Sequence, residues 1–192
     1  MISEQDFISF IDQVPGDIIV VYDEAYREFA TREDFPHNSL KFLDAYPNII
    51  VMRTFSKAYG LASLRVGYTL ASEEIIENIN KIRPAFNVST FAQVAAIVAL
   101  DDQDFVQKTV DNNTLGREYL YKEFDKMGLT YAQSQTNHIW VDVEKNAQEV
   151  FINLQKKGVI IRPQRDTYIR VSIGLPEENE IFIKCLKEEL GK

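Results

Sequence analysis

Three continuous apolar runs, "DIIVVYD" at 17–23, "NIIVMRTF" at 48–55 and "LRVGYTLA" at 64–71, alternate in the first half of the chain with segments whose apolar residues recur every three or four positions. Runs of that length without a polar phase predict strands buried on both faces, whereas the three-to-four repeat predicts amphipathic helices. The first helix is expected over "SEQDFISFIDQV", with Ser3 as its N-cap, with Phe7, Phe10, Ile11 and Val14 on one stripe, and with Pro15 and Gly16 ending it. A short helix, "SLKFLDAY", separates the first two strands, and "SEEIIENINKI" follows the third.

Pro84 breaks the pattern, and from Ser89 to about Met127 the chain reads as largely helical, first as the apolar "FAQVAAIVAL" and then as an amphipathic stretch closed by Gly128, a residue suited to a helix C-terminus. The remainder alternates again: strand "NHIWVDV", helix "AQEVFINLQKK" stopped by Gly158, strands "VIIRP" and "YIRVSIG", and a last helix, "EENEIFIKCLKEEL". Strands interleaved with helices on either side of the long helical region predict an α/β fold in two parts, 1–105 and 106–192.

Composition narrows the function classes. With 192 residues, 45% of them hydrophobic and 26% charged, the chain can bury a real core. A net charge of −8 argues against nucleic-acid partners, which require clustered basic residues, and no apolar run approaches the roughly 20 residues that span a bilayer. Cys185 stands alone in the apolar phase of the last helix, so a buried thiol and a reducing, cytoplasmic setting are expected. His37 and His138 have neither each other nor a cysteine at metal-ligand spacing and are read as structural.

Candidate chemistry sits at the ends of the first two strands, where Asp23 follows "IIVVY" and Lys57 follows "IIVMRTFS". Open α/β sheets bind ligands beyond the carboxyl ends of their strands, so the two groups could converge. Taken singly, a lysine there is most often a solvated surface residue and an acid more often a cap or turn residue. Arg65 in "SLRVGY" and Arg170 in "YIRVSIG" are guanidinium groups placed in apolar strands, where burial without a partner is costly.

As a set, "DEAYREF" (23–29), "TFSKAYGLASLRVGY" (54–68) and the later strand arginine resemble the motifs of fold-type I (class I/II) aminotransferases that use pyridoxal 5'-phosphate, and most nearly the histidinol-phosphate branch. The resemblance implies the carboxyl-terminal part of that transferase fold: an incomplete large domain with a mixed, mostly parallel sheet, and a small α/β domain. It also implies roles. Lys57 would form the Schiff base and carry the proton between substrate and cofactor; Asp23 would face the pyridine nitrogen, Ala25 the ring and Tyr26 the O3′ oxygen. Thr54, Ser56 and Arg65 would hold the cofactor phosphate, and Arg170, with Arg162 as a second candidate, the substrate's acidic group. Ser63 stands where the family usually has glycine.

The implied reaction moves an amino group between L-histidinol phosphate and 2-oxoglutarate, in histidine biosynthesis; aromatic-amino-acid aminotransferases and a threonine-phosphate decarboxylase share most of these motifs. Family members carry further cofactor-binding segments before the Asp-x-Ala-Tyr strand. The chain is therefore expected to be a portion of such an enzyme, possessing small-molecule substrates and forming a homodimer when intact, or else a silent piece that acts only by association.

Overall fold

A computed structural model of the chain describes residues 2–192. The residues gather into two compact units, Met1–Gln107 and Lys108–Lys192.

In the first unit, helix α1 (Glu4–Ile11) starts where Ser3 caps it, the Ser3 hydroxyl accepting from the Asp6 amide at 3.1 Å. Strand β1 (Val20–Asp23), helix α2 (Lys41–Ala45), strand β2 (Ile49–Thr54) and strand β3 (Gly67–Ala71) follow. The sheet order is β1-β2-β3, with β1 parallel and β3 antiparallel to β2. Phe7 and Ile11 of α1 and Phe42 of α2 pack against Ile49 and Val51, which closes one face of this mixed sheet.

The other face differs from the expectation of strands buried on both sides. Val21 is 54% exposed and Met52 39%, because α1 and α2 both lie against the same face and β1 pairs on one edge only. Phe10 likewise leaves the expected stripe and points to solvent, while Phe7 and Ile11, with Ile8 and Val14 beside them, fill the contact with the core. Helix α3 (Glu73–Ile82) buries none of its residues, and helix α4 (Thr90–Asp101) buries only Ala92 and Ala96, which pack with Phe55 and Val66.

Helix α5 (Gln103–Lys126) begins in the first unit and lies mostly in the second. Beyond Gly128, whose positive φ of 67° lets the chain turn back, strand β4 (His138–Asp142), helix α6 (Ala147–Lys156), strands β5 (Arg162–Arg165) and β6 (Tyr168–Ser172), and helix α7 (Pro176–Leu190) complete the unit. The sheet is antiparallel in the order β4-β6-β5. Strand β5 starts three residues later than "VIIRP" suggests: Ile161 turns into the core while Ile160 is 77% exposed, and pairing with β6 begins only at Arg162, with an irregularity between Pro163 and Arg165. The core combines Leu120 and Phe124 of α5 with Ile139, Val141, Ile169 and Val171 of the sheet and with Phe182, Cys185 and Leu186 of α7.

Gly116, in the middle of α5, is packed so closely that an added Cβ would lie 2.6 Å from the Ile173 side chain and 2.9 Å from that of Asn179. Asn179 cannot yield easily. It is buried, and its amide bonds both the Gly174 amide and carbonyl, at 3.0 and 3.1 Å.

Glu123 of α5 has a nearly buried carboxylate that accepts from Lys126 Nζ at 2.5 Å and from Lys187 Nζ at 2.6 Å. These hydrogen bonds hold its carboxyl below the usual carboxylate range. A depressed folded value stabilises the fold above the unfolded pKa, and that contribution disappears as pH falls through the folded value. Urea unfolding followed between roughly pH 3 and pH 7 is therefore expected to show acid destabilisation that Glu123→Gln flattens; an unchanged pH slope in the variant would count against the assignment. Both lysines are substantially exposed, so added salt is expected to weaken the effect.

Candidate active site

Beyond the carboxyl ends of β1 and β2 the first unit opens a cavity of about 260 Å³, lined by Asp23, Ala25, Thr54, Ser56, Lys57 and Arg65 together with Met52 and Arg53. Parallel pairing sets Asp23 opposite Met52, so the last residue of β1 and the last residues of β2 arrive at one rim. Past this point the chain bends on its own polar groups. The Ala25 amide donates to Asp23 Oδ1 at 3.0 Å, and the Ser56 amide donates to Thr54 Oγ1 at 3.1 Å, each a turn made by a short polar side chain two residues back.

Lys57 lies in the loop that follows. The Gly60 amide bonds the Lys57 carbonyl at 3.0 Å, and the Leu61 amide returns to the Phe55 carbonyl at 2.9 Å, closing the loop over buried Phe55 and Ala58. Lys57 Nζ stands 5.2 Å from the centre of the Tyr26 ring, a cation held against an aromatic face. Tyr26 thus joins the cluster through Lys57.

Arg65 is not where its sequence suggests. It precedes β3 instead of lying in it, at the end of a short 3-10 turn (Ala62–Leu64), with left-handed backbone angles of φ 52° and ψ 49°. That conformation is uncommon for a residue with a side chain and costs about 1–2 kcal/mol. It carries the side chain out of the sheet, so the guanidinium is exposed and solvent, not a buried partner, satisfies much of it. Arg65 Nη1 donates to the Ala62 carbonyl at 2.9 Å and reaches Ser56 Oγ at 3.5 Å. Gly67, two residues on, faces the Arg53 carbonyl so closely that a Cβ would sit 2.7 Å from it, which brings the arm bearing Arg65 back onto β2.

The sequence reading passes over Glu24 and Arg53. The Glu24 side chain is fully buried, and its Oε2 accepts from Arg53 Nε at 2.8 Å. Burial acts to lower the Arg53 pKa, but hydrogen bonding to Tyr68 and Glu24 outweighs it and raises it above the usual arginine value. The available signal was an arginine inside the apolar run "IIVMRTF", two residues past Val51, with an acid just beyond the parallel strand.

In the second unit, Arg170 and Arg162 stand opposite one another in the β5–β6 register, and Arg170 also stands opposite Trp140 of β4. Directly paired residues share a face, so two guanidinium groups and an indole form a row across the sheet, opposite the face that buries Ile139, Ile169 and Val171. Each histidine has a local partner: His37 Nε2 lies 3.0 Å from the Arg32 carbonyl and His138 Nδ1 3.1 Å from Thr136 Oγ1. Among the described residues, no helix is long and apolar enough to cross a membrane.

The chain is similar to known proteins in sequence and in fold. A histidinol-phosphate aminotransferase from Caldicellulosiruptor saccharolyticus is 48% identical over 99% of this chain and 54% of its own length, and one from Moorella thermoacetica is 47% identical over 95% and 48%. The chain thus spans about half the length of the curated relatives it matches. Among solved structures, the histidinol-phosphate aminotransferase of Sinorhizobium meliloti in complex with pyridoxal-5'-phosphate superposes with a TM-score of 0.90 at 32% identity, over 99% of this chain and 53% of that one. The family model described as aminotransferase class I and II matches residues 5–186, and with that span of agreement in sequence and in fold the chain belongs to the class I and II aminotransferase family.

Proposed function

We propose that this chain carries the cofactor-attachment half of a cytoplasmic, homodimeric, pyridoxal 5'-phosphate-dependent enzyme that moves an amino group between L-histidinol phosphate and 2-oxoglutarate. The observation that carries the reading is the cavity in which a carboxylate, two hydroxyls, a lysine and an exposed guanidinium meet. The names of the relatives support histidinol phosphate as one of its substrates.

The donor set fits the cofactor. Asp23 supplies an acceptor, and Thr54, Ser56 and Arg65 supply donors; the Arg65 guanidinium is ion-paired to no carboxylate among the described residues and so is available to an anion. A phosphate group matches such donors, since arginine offers a planar fork and hydroxyls complete the shell. When bound, pyridoxal phosphate supplies an electron sink for the pair left when a substrate Cα–H bond breaks.

The chain's own groups do the rest. Asp23 would hold the pyridine nitrogen protonated through its carboxylate. Ala25 would leave the ring face clear, and Tyr26 would donate to the ring oxygen. Lys57 would be the attachment point; once a substrate amine had displaced it, its amine would serve as the base that takes the substrate Cα proton and as the acid that returns it on the cofactor side of the imine nitrogen. Its place against Tyr26 restricts where that amine can reach. Arg170, with Arg162 opposite it in the sheet as a second candidate, would bind the substrate's phosphate, which would relieve the repulsion between the two guanidinium groups.

The test is spectroscopic and chemical. Adding pyridoxal 5'-phosphate to the purified chain is expected to produce a visible absorption band that borohydride bleaches, leaving a mass increment on the peptide containing Lys57. Absence of band and increment alike would sink the reading. Substrate choice is measured on a chimera that joins this chain to the part of the Caldicellulosiruptor relative it does not cover. Histidinol phosphate is expected to be strongly preferred over phenylalanine and threonine phosphate, and equal rates would reject the substrate assignment.

A further inference from the structure

Glutamate is almost never fully buried unless paired, and Glu24 is buried with only half of its carboxylate satisfied. Its side chain is 0% exposed; Oε2 bonds Arg53 and lies 3.8 Å from Arg27 Nε, while Oε1 has no hydrogen-bond partner. Such a pair is a poor source of stability, because desolvating two charges offsets most of their attraction and apolar side chains could fill the same volume. Its placement gives it another use.

Glu24 is the first residue past β1, and its amide continues the ladder to the Met52 carbonyl at 2.9 Å. Arg53 is the next residue of β2, and it stands opposite Tyr68 of β3. It also donates to Ser39 Oγ at 3.3 Å. One guanidinium is therefore gripped from β1, from β3 and from the segment before α2, at the edge of the sheet where the cavity opens. Asp23 immediately precedes Glu24, and Lys57 lies one short loop beyond Arg53.

We propose that the Glu24–Arg53 ion pair is a positioning device that fixes the separation of Asp23 and Lys57 across the cavity. Its orphaned oxygen and desolvated charge are tolerated because the rim must be rigid. Misplacing a reacting group by about 1 Å costs on the order of 100-fold in rate, so a tie at this edge matters more than its stability contribution. The inference rests on the reading of the cavity as a pyridoxal phosphate site.

Glu24→Gln, Arg53→Gln and the double variant are compared with the unmodified chain for pyridoxal phosphate affinity, for the pH midpoint of the visible band and for melting temperature. Each single change is expected to weaken cofactor affinity about 10- to 100-fold and to move the pH midpoint, because Asp23 no longer sits squarely on the ring nitrogen. The double variant is expected to lose no more than the worse single one, as members of one device do. Losses that multiply in the double variant, or an unmoved pH midpoint despite a lowered melting temperature, would overturn the proposal. Should Glu24→Gln fail to fold, Arg53→Lys, which keeps the charge and loses the planar fork, carries the same comparison. No band in the unmodified chain would overturn the parent reading and this inference with it, whereas a normal band with unaffected variants overturns the inference alone.

Discussion

Lys57→Ala is expected to abolish the borohydride-trapped adduct and to lower amino transfer in the chimera by on the order of 10²- to 10⁴-fold or more, the range that a positioned proton carrier supplies by itself. The loss has two origins. Alanine removes the amine that attaches the cofactor, and it removes the group that moves the proton at the substrate Cα. Lys57→Arg separates these from simple charge loss: arginine keeps a cation near the Tyr26 ring but stays protonated, so it can neither attach nor carry. The arginine variant is expected to be as inactive as the alanine one while melting close to the unmodified chain. A surviving adduct in Lys57→Ala would move the attachment point elsewhere, and recovery of activity in Lys57→Arg would make the residue an electrostatic one.

The second large effect is a division between two arginines. Arg65→Ala is expected to weaken cofactor retention about 10- to 100-fold, the value of a charge-assisted hydrogen bond or two, with a smaller change in the KM for histidinol phosphate. Arg170→Ala is expected to raise that KM by a similar factor and leave cofactor retention unchanged. The asymmetry follows from placement. Arg65 lines the cavity beside Ser56, whereas Arg170 lies in the second unit, opposite Arg162 and Trp140. Equilibrium dialysis against pyridoxal phosphate and initial-rate kinetics read the two quantities separately. Parallel changes in both arginine variants would remove the division.

Much of this was legible in the sequence because it is periodic or punctuated. The Ser3 cap, the left-handed glycines at 128 and 158 and the two apolar runs feeding Asp23 and Lys57 all appear in the structure where residue type and spacing put them. Three features were not legible, each for a physical reason. A single left-handed residue leaves no period, so Arg65 reads as part of a strand although it stands outside it. An apolar run does not reveal whether one or two faces are covered, and Val21 and Met52 remain exposed because both helices pack on the same side. The Glu24–Arg53 pair depends on register between segments far apart in the chain, which hydropathy does not encode. The motif residues themselves were found by likeness to a family; composition and spacing alone would have left Lys57 as a lysine near a strand.

The fit of Gly116 against Ile173 and Asn179 closes one common route to engineering a hardier version of this protein. A glycine in mid-helix is the usual first target for thermostabilising design, since alanine there restores about 1 kcal/mol of helix propensity. At this position the gain is forfeit, because the methyl group would push into a side chain whose amide is already committed at both ends. Stabilising substitutions belong instead on the solvent face of the same helix, at an exposed residue such as Glu118.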